Sequence, residues 1–294
     1  MGSFPAPAKI NLALHVTGRR EDGYHLIETL AVFTPFGDRM TVVPAERDGF
    51  CVIGPYGESI PADGGNLVLK ARDAFRAAFQ GDGGLSLSIT LEKNLPPSSG
   101  IGGGSSDAAA TLRALKHHHE AGISEEMLLP MAAELGADLP MCLAARPLIA
   151  RGIGEKIEIL RDFPSLPMVL ANPGAEVSTP TVFRMLSKRD HPPLPSQPPP
   201  RNLKSLLGWL RQTRNDLERP ACDIAPAISG VLRELEDAGA SLARMSGSGA
   251  TCFGLFETPD EAQHAVRRLR ERHHGWFLVA TRSMASNEEL DDGN

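Results

Sequence analysis

The chain has 294 residues, which is enough for about two domains with substantial hydrophobic cores. Hydrophobic residues make up 41% of it and charged residues 22%, a composition typical of globular proteins. The formal net charge of −6, with only two Trp and two Tyr available for stacking on bases, argues against nucleic-acid binding as the main function.

The four cysteines are isolated from one another, at positions 51, 142, 222 and 252, and none forms a CxxC pair. Isolated cysteines are typical of a reducing compartment and of a protein with neither a disulfide framework nor a zinc site. No apolar run reaches the length of a membrane span, and no signal-peptide pattern opens the chain. The sequence therefore predicts a cytoplasmic protein with no membrane partner.

The first predicted strand covers residues 9–16, where apolar and polar residues alternate with the period of a half-buried strand. Three polar side chains, Lys9, Asn11 and His15, share the face opposite the apolar one. A lysine in this position is usually a solvated charge at a sheet edge. The Pro-Ala-Pro-Ala segment before it restricts the backbone, which favours a more specific role for Lys9.

A polar turn over residues 17–25 follows and ends in Tyr24 and His25. By composition alone, this pair is explained equally well by loop capping and by ligand binding. Further strands and a helix are predicted over residues 26–33, 39–43, 49–53 and 66–79. Asn66 stands where the N-cap of that helix is expected.

A glycine-rich turn lies at the centre of residues 96–110, between an alternating strand pattern at 85–91 and a helical pattern through 112–115. The free N–H groups and the positive dipole end of a helix N-terminus bind anions, phosphate above all. Ser105 and Ser106 add hydroxyls suited to a phosphate oxygen or a magnesium ion. The alternative is a flexible surface turn, but four glycines in five positions would weaken a purely structural helix start. The pattern is neither a Walker A loop nor a Rossmann fingerprint.

Three consecutive histidines, residues 117–119, end the helix after the glycine turn. Consecutive helical positions point about 100° apart, so a solvated helix end is favoured over a metal site. A further helix is predicted from Ser124 and ends at residues 136–140. Asp138 in that segment is either a turn acceptor or a buried functional acid.

A domain boundary is predicted near residues 161–166, dividing the chain into domains 1–163 and 164–294. The second domain has the order β-α-β-β-α-β, which is the split βαβ of ferredoxin-like domains and makes the fold class α+β. Its elements are predicted at 168–171, 224–236, 241–245, 251–256, 259–271 and 276–281.

Three further segments are set apart by composition. The Pro-rich residues 191–201 suit an SH3-type partner or, as the favoured interpretation, a stiff exposed loop. The second glycine turn, 245–250, is equally consistent with a plain hairpin and with an anion contact. The acidic tail 288–294 is predicted to be disordered.

Together these motifs resemble the GHMP kinases, the family of galactokinase, homoserine kinase, mevalonate kinase and phosphomevalonate kinase. The resemblance runs nearly end to end and is carried by Pro7–Leu12, Asp22–His25, Gly100–Ala109, Leu135–Pro140, Asn172–Gly174, Asn215–Leu217 and Ser246–Ala250. One departure is that Ser98 and Ser99 stand where the family usually has Gly or Ala. Serine resists positive φ more than glycine does.

The resemblance implies two α+β lobes with the active site in the cleft between them, and an N-terminal lobe containing a left-handed βαβ crossover, against the usual hand. It also implies ATP as phosphoryl donor, with Mg²⁺. Pro7–Leu12 followed by Asp22–His25 is specific to members whose acceptor is a cytidine-diphosphate-linked methylerythritol. Such members form its 2-phosphate and ADP in the non-mevalonate route to isoprenoid precursors. We therefore expect a small-molecule substrate, no nucleic-acid partner, and a monomer or weak homodimer.

The resemblance also implies roles for individual residues. Asp138 would be the catalytic carboxylate and Lys9 the cation beside it, with Ser106 on magnesium. The residues implied for the nucleotide are Asn66, Lys93, Pro96, Gly100, Ile101, Gly102, Gly103, Gly104, Ser105 and Ser106. The residues implied for the acceptor are Asn11, Tyr24, His25, Thr179, Phe183, Gly247, Ser248 and Gly249, with Tyr24 and Phe183 on either side of the cytosine.

Two alternatives stay open beside this interpretation. Another GHMP kinase, such as a homoserine or mevalonate-pathway kinase, would share the glycine turn but has no use for a cytosine-sized slot at Tyr24 and His25. A catalytically silent nucleotide-binding protein would have no reason to retain both Lys9 and Asp138. A dehydrogenase is disfavoured because the second half of the chain does not supply a dinucleotide fold.

Overall fold

Two β-sheets with helices packed against them form the protein, whose computed structural model describes residues 2–79, 86–119 and 122–292. The first sheet has six strands in the order β3-β4-β2-β5-β6, with β1 paired to β2. Its strands are β1 Gly2–Arg19, β2 His25–Pro44, β3 Gly49–Ile53, β4 Leu87–Glu92, β5 Leu148–Gly152 and β6 Lys156–Ile159. Its helices are a 3₁₀ turn Gly57–Ser59, α1 Leu67–Phe79, α2 Gly103–His118, α3 Glu125–Leu135 and α4 Leu139–Ala144.

The hairpin of β1 and β2 is longer than its sequence pattern predicts. Register shifts at three places interrupt the alternation of β1, and residues 6–16 are buried throughout, so the prediction of a half-buried strand over 9–16 is wrong in its burial. The prediction of two strands at 26–33 and 39–43 is wrong, because β2 runs continuously through both. Gly37 permits this, since it lies against the backbone of Ala6 with no room for a side chain.

Strand β4 shows the predicted alternation of buried and partly exposed residues, although Leu85 lies outside the described residues. It pairs antiparallel with β2 and parallel with β3, so α1 forms the crossover between two parallel strands. The left hand implied for this crossover stays an expectation. The sequence does not predict helix α4, because Gly136 and Pro140 indicate only the end of the preceding helix.

The second sheet has four strands in the order β10-β7-β9-β8. Its strands are β7 Pro167–Asn172, β8 Leu242–Met245, β9 Cys252–Leu255 and β10 Phe277–Arg282. Its helices are α5 Thr179–Arg184, α6 Leu203–Leu210, α7 Glu218–Ile224, α8 Ala227–Asp237 and α9 Pro259–Arg272. The predicted ferredoxin-like arrangement is confirmed. The helix predicted over 224–236 begins only at Ala227, because Pro226 separates it from α7.

The two sheets occupy residues 2–159 and 167–282, and the domain division after Phe163 stays a prediction. The chain returns to the first sheet at its end, where Met284 is buried in that sheet's core. Disorder is the wrong prediction for 288–292, since Glu288 pairs with Arg282 in the second lobe. No helix in the described part of the chain has the length and apolar content that a membrane crossing requires.

The Pro-rich segment 191–201 is docked on the hairpin of β1 and β2, which a stiff exposed loop would not be. The His191 N–H donates to the Val16 carbonyl at 2.9 Å, and Leu194, itself buried, donates its N–H to the carboxylate of Glu28 at 3.0 Å. The indole N–H of Trp209 donates to the carbonyl of Gln197. These hydrogen bonds hold the Pro-rich segment against the hairpin and against α6.

The buried, neutral ring of His15 links β1 to the Pro-rich segment. Its Nδ1 donates to the Pro192 carbonyl at 3.0 Å, while Nε2 accepts from the Arg214 N–H at 3.1 Å. Protonation of Nε2 would set an N–H of the ring against the Arg214 N–H, so this arrangement requires the neutral ring. Burial first, and the charge of Arg214 second, lower the pKa of His15 below 6.5.

We expect the free energy of unfolding to fall as the pH drops below about 6.5, because the unfolded His15 binds a proton that the folded ring does not. Urea unfolding of the wild type and His15→Asn at about pH 7.5 and about pH 5.5 measures this dependence. His15→Asn should lose less stability between the two pH values, while His264→Asn on exposed α9 should follow the wild type. An unchanged pH dependence in His15→Asn would contradict the account.

Candidate active site

The glycine turn places an uncapped helix N-terminus in the cleft. Helix α2 begins after Gly102, which has a φ of 68°, and no described side chain caps this end. Its first N–H groups therefore stay free for an anion, as the sequence predicts. Ser98, one of the two departures from the family pattern, adopts a φ of 49°, the left-handed conformation that the usual glycine would favour. The hydroxyl of Ser99 donates to the Pro96 carbonyl at 2.6 Å and braces the same turn.

A buried ammonium lies directly beneath the start of α2. Lys93 contacts Asp38 and lies 2.7 Å from Asp107, and a Cβ on Gly103 would lie 3.0 Å from its Nζ. Burial lowers the pKa of Lys93, but the carboxylates of Asp107 and Asp38 outweigh it and raise the pKa overall. The Lys93 ammonium is thus already paired, its backbone groups bond Ile53 and Tyr56, and its nucleotide contact stays a prediction.

The N-terminus of α1 lies beside the same turn. Asn66 is the predicted N-cap: its Oδ1 accepts from the Val68 N–H at 2.9 Å, and its Nδ2 donates to the Pro61 carbonyl. Leu67 is in van der Waals reach of a Cβ placed on Gly104. The nucleotide role of Asn66 is untested, but its position next to the turn is compatible with it.

Ser106 is fully buried, and its hydroxyl donates to the Pro7 carbonyl at 2.7 Å. In this geometry the hydroxyl does not face the phosphate side of the turn, where a metal ligand would be needed. Within residues 2–79, 86–119 and 122–292, no group of three or more His, Cys, Asp or Glu side chains could hold a metal ion. A resident metal site is therefore not supported by the donor set that the described residues offer.

Lys9 and Asp138 form an ion pair at the mouth of this turn, with 2.6 Å between Nζ and Oδ2. The side chain of Lys9 is 4% exposed and that of Asp138 is 42% exposed, so the pair faces the cleft through the carboxylate. The Lys9 N–H donates to the Ile101 carbonyl at 2.9 Å, and the Lys9 stem lies under Gly102. Neither alternative for Asp138 holds as stated: its side chain does not cap α4, and the acid is partly exposed where burial was predicted.

The second glycine turn packs backbone to backbone against the first. A Cβ on Gly100, whose φ is 77°, would lie 2.5 Å from the Ser246 carbonyl oxygen and 2.6 Å from the Gly249 nitrogen. The buried Ser246 hydroxyl accepts from the Asn11 N–H at 3.0 Å and donates to the Gly100 carbonyl at 3.1 Å. A Cβ on Gly247 would in turn lie 2.6 Å from the Gly100 oxygen. This turn therefore holds the lobes together as well as facing the cleft.

The residues predicted for the acceptor lie on α5 and at the tip of the first hairpin. Phe183 stacks on His25 with ring centroids 4.8 Å apart and an angle of 28°, whereas Tyr24 is 58% exposed at the tip. The ring of His25 thus lies against Phe183, and the placement of Tyr24 and Phe183 on either side of the cytosine stays a prediction. Thr179, one turn before Phe183, shares a 2.6 Å hydrogen bond with Ser248 of the second glycine turn.

Two buried polar atoms on this side are left without a hydrogen-bond partner among the described residues: Nε2 of His25 and Oδ1 of Asn11. The Nδ2 of Asn11 donates to the Thr29 hydroxyl at 2.7 Å. Burial, then the charges of Arg19 and Arg189, lower the pKa of His25. A neutral imidazole and a free amide oxygen are the groups that a polar ligand would satisfy.

Asn215 is the functional residue that the motif analysis contained without a role. Its Nδ2 donates to the carbonyls of Met245 and Gly247, both at 2.8 Å, and so fixes the second glycine turn from behind. In the sequence, Asn215 belongs to the Asn215–Leu217 motif, which is one of those that resemble the GHMP kinases. Asp107 lies within the Gly100–Ala109 motif without an assigned role, and Asp38 lies outside all of the motifs; only the folded chain brings both to Lys93.

The comparisons agree with this geometry. The model of the GHMP kinases N terminal domain matches residues 66–146 and that of the GHMP kinases C terminal domain matches residues 200–275. A solved homoserine kinase from Cytophaga hutchinsonii shares the fold, with a TM-score of 0.71 at 18% identity over 99% of this chain and 96% of that one. The fold is that of a GHMP kinase.

Proteins with higher sequence identity to this chain show which GHMP kinase family it belongs to. A 4-diphosphocytidyl-2-C-methyl-D-erythritol kinase from Mesorhizobium japonicum is 55% identical, covering 98% of this chain and 97% of the relative. One from a Chelativorans species is 52% identical, covering 97% of each. A crystal structure of a 4-(cytidine 5'-diphospho)-2C-methyl-D-erythritol kinase has a TM-score of 0.78 at 36% identity, covering 96% of this chain and 99% of that one. The chain belongs to the family of 4-diphosphocytidyl-2-C-methyl-D-erythritol kinases.

We expect Gly100→Ala to lower both the melting temperature and kinase turnover, since the added methyl would force the two glycine turns apart. Gly230→Ala is the matched control: it lies inside α8 with nothing within 4 Å of the new methyl, and should stabilise the fold by up to about 1 kcal/mol. Thermal unfolding and steady-state turnover measure both effects. A Gly100→Ala protein as stable and active as the wild type would show that the turns are not in contact.

Proposed function

We propose that the chain transfers the γ-phosphoryl group of ATP to 4-diphosphocytidyl-2-C-methyl-D-erythritol, forming the 2-phosphate and ADP in the non-mevalonate route to isoprenoid precursors. The observation that carries the proposal is the Lys9–Asp138 ion pair at the uncapped N-terminus of α2. The acceptor is the one that the relatives' names state. We place the reaction in the cytoplasm, with the enzyme a monomer or a weak homodimer.

Asp138 is the proposed base for the acceptor hydroxyl. Its partly exposed carboxylate can accept the hydroxyl proton as the oxygen attacks phosphorus. An aliphatic hydroxyl is a much weaker acid than a carboxylic acid, so a pKa match alone cannot drive this transfer. The ammonium of Lys9, 2.6 Å from the carboxylate, stabilises the negative charge that develops on the oxygen.

The N–H groups at the start of α2 are proposed to bind the phosphates of ATP, with Gly102 and Gly103 allowing close approach of the backbone. Asn66 and Leu67 lie toward the adenosine side of the same turn. Mg²⁺ bound between the ATP phosphates would neutralise charge on them. The Ser106 hydroxyl, donating to Pro7, is not placed to hold that ion, and no step is assigned to it.

The cytidine is proposed to bind at the tip of the first hairpin. Stacked His25 and Phe183 offer an aromatic surface, the exposed Tyr24 can fold over it, and the free Nε2 of His25 can bond the polar edge of the base. Thr179, which shares a hydrogen bond with Ser248, and the second glycine turn through Gly249 are proposed to bind the rest of the acceptor. Asn11 faces the methylerythritol end through its free Oδ1.

The direct test is a coupled assay of ADP release with this acceptor and, in parallel, with homoserine and with mevalonate. We expect ADP release above the acceptor-free rate only with the cytidyl compound, and a product carrying one added phosphoryl group by mass spectrometry. Turnover with homoserine or mevalonate alone would instead support the second GHMP interpretation, whose solved members share this fold. ATP binding with no turnover on any acceptor would support a silent nucleotide-binding protein.

Asp138→Asn should lower turnover by at least ~10², since loss of a general base typically costs that much. ATP affinity should be retained, because the loop that binds the phosphates is untouched; isothermal titration measures it. Lys9→Met and the double variant complete a cycle, in which the two losses should be strongly non-additive. Additive losses, or an Asp138→Asn enzyme above half of wild-type turnover, would overturn the assigned roles.

Phe183→Ala should weaken acceptor binding by about 1–3 kcal/mol, the range for loss of one base–aromatic stack. The ATP affinity should not change, because Phe183 lies on the acceptor side of the cleft. Met185→Ala, just past the same helix and 47% exposed, is the control and should bind both ligands normally. Equal weakening of both ligands in Phe183→Ala would place the cytidine elsewhere.

A further inference from the structure

Arg113 is a buried cation that the mechanism above does not use. It lies on α2, ten residues after the start of the helix, and is 6% exposed. Arginine is rarely this buried unless its charge is paired. Its guanidinium contacts three separate parts of the chain, so Arg113 connects elements that are distant in sequence.

Two of these contacts lead to the elements that carry the ion pair. Nη2 of Arg113 donates to the Pro5 carbonyl on β1, four residues before Lys9 on the same strand. Nη1 lies 3.5 Å from the Cys142 carbonyl on α4, and the Cys142 N–H bonds back to the Asp138 carbonyl at 3.1 Å. One side chain thus spans the strand of the proposed cation and the helix of the proposed base.

Helix α4 needs such support. It has only six residues and no described side chain caps its start, and helices this short are not stable without tertiary contacts. Asp138 directly precedes α4 and is partly exposed, so the orientation of its side chain depends on the contacts that hold α4 in place. The Cys142 sulfur lies 3.6 Å from a Cβ placed on Gly102, next to the Lys9 stem.

The third contact comes from the C-terminal segment, residues 283–292. Nε of Arg113 donates to the carboxylate of Asp292 at 2.9 Å. The segment leaves β10 of the second lobe, where the Arg282–Glu288 pair anchors it, and Leu290 packs on the core of the first lobe. Asp292 therefore brings the counterion for Arg113 from the far end of the chain.

We propose that Arg113 is a positioning residue for the Lys9–Asp138 pair, and that the C-terminal segment completes the active site by supplying Asp292 as its counterion. A buried guanidinium without its carboxylate is strongly unfavourable, so loss of Asp292 would displace Arg113 and loosen α4. Misplacement of a catalytic group by a small distance lowers turnover without removing substrate contacts. The inference rests on the proposed function, since it assigns Arg113 to the same pair.

The test compares Asp292→Ala and Asp292→Glu with Glu289→Ala in the full-length chain. Glu289 is an acidic residue of the same segment, but it pairs with Arg146 at the surface and leaves no buried charge when removed. We expect kcat to fall about tenfold in Asp292→Ala, with KM for ATP and for the acceptor within about twofold. Asp292→Glu should recover part of the loss, and Glu289→Ala should match the wild type.

A second measurement does not depend on activity. Amide hydrogen exchange in residues 139–145 should become faster in Asp292→Ala but not in Glu289→Ala, because only the first variant releases α4. Unchanged exchange there, or an unchanged kcat in an enzyme shown to be active, would overturn the proposal. If the wild type itself shows no kinase turnover, the proposed function fails, while the exchange comparison still decides whether Asp292 holds α4.

A double variant separates positioning from loss of fold. In an Asp138→Asn background, Asp292→Ala should lower the residual turnover little further, since its effect acts through Asp138. An equal fractional loss in both backgrounds would mean general destabilisation and would overturn the positioning role. If Asp292→Ala does not fold, Asp292→Asn, which keeps the side-chain shape, replaces it in the same comparisons.

Discussion

The contact between two glycine turns is the constraint on which the site depends. At Gly100 there is no space for a side chain, because the backbone of the second turn lies where Cβ would be. Ser246 completes the contact with one hydroxyl that bonds both Asn11 on β1 and Gly100 on the phosphate turn. Because Lys9 is two residues from Asn11, the same contact sets where the ion pair stands relative to both turns. The cleft between the lobes is thus defined by backbone geometry.

Charge is arranged in layers around the start of α2. The outer surface of the turn offers uncapped N–H groups, while beneath it the ammonium of Lys93 lies between Asp38 and Asp107. Burial is the main reason that the pKa of Asp107 is raised to about 8, with Lys93 opposing it. Buried ion pairs of this kind contribute little net stability, since desolvation offsets their attraction. Their value here is positional, because they hold the strand before the turn to the helix after it.

Strand β1 connects the segments that composition alone marks as loops. The Pro-rich residues 191–201 bond to it through His191, and the segment around Asn215 pairs with it near Leu14. On its other side the phosphate turn bonds to Lys9, and Arg113 reaches the carbonyl of Pro5. The cation of the proposed mechanism therefore lies on a strand that several distant segments of the chain brace.

The sequence by itself determined the local order of strand, glycine turn and helix, the ferredoxin-like second half, and the candidacy of Lys9 and Asp138. These follow from short-range patterns: period, capping and glycine content act over a few residues. It did not reveal that β2 is continuous, that the ring of His25 stacks on Phe183, or that the acidic tail reaches Arg113 through Asp292. Each of these depends on partners far apart in the chain, such as Gly37 against Ala6. Only the tertiary structure decided them, because backbone approach and the pairing of buried charges are properties of the packed chain and leave no periodic signal.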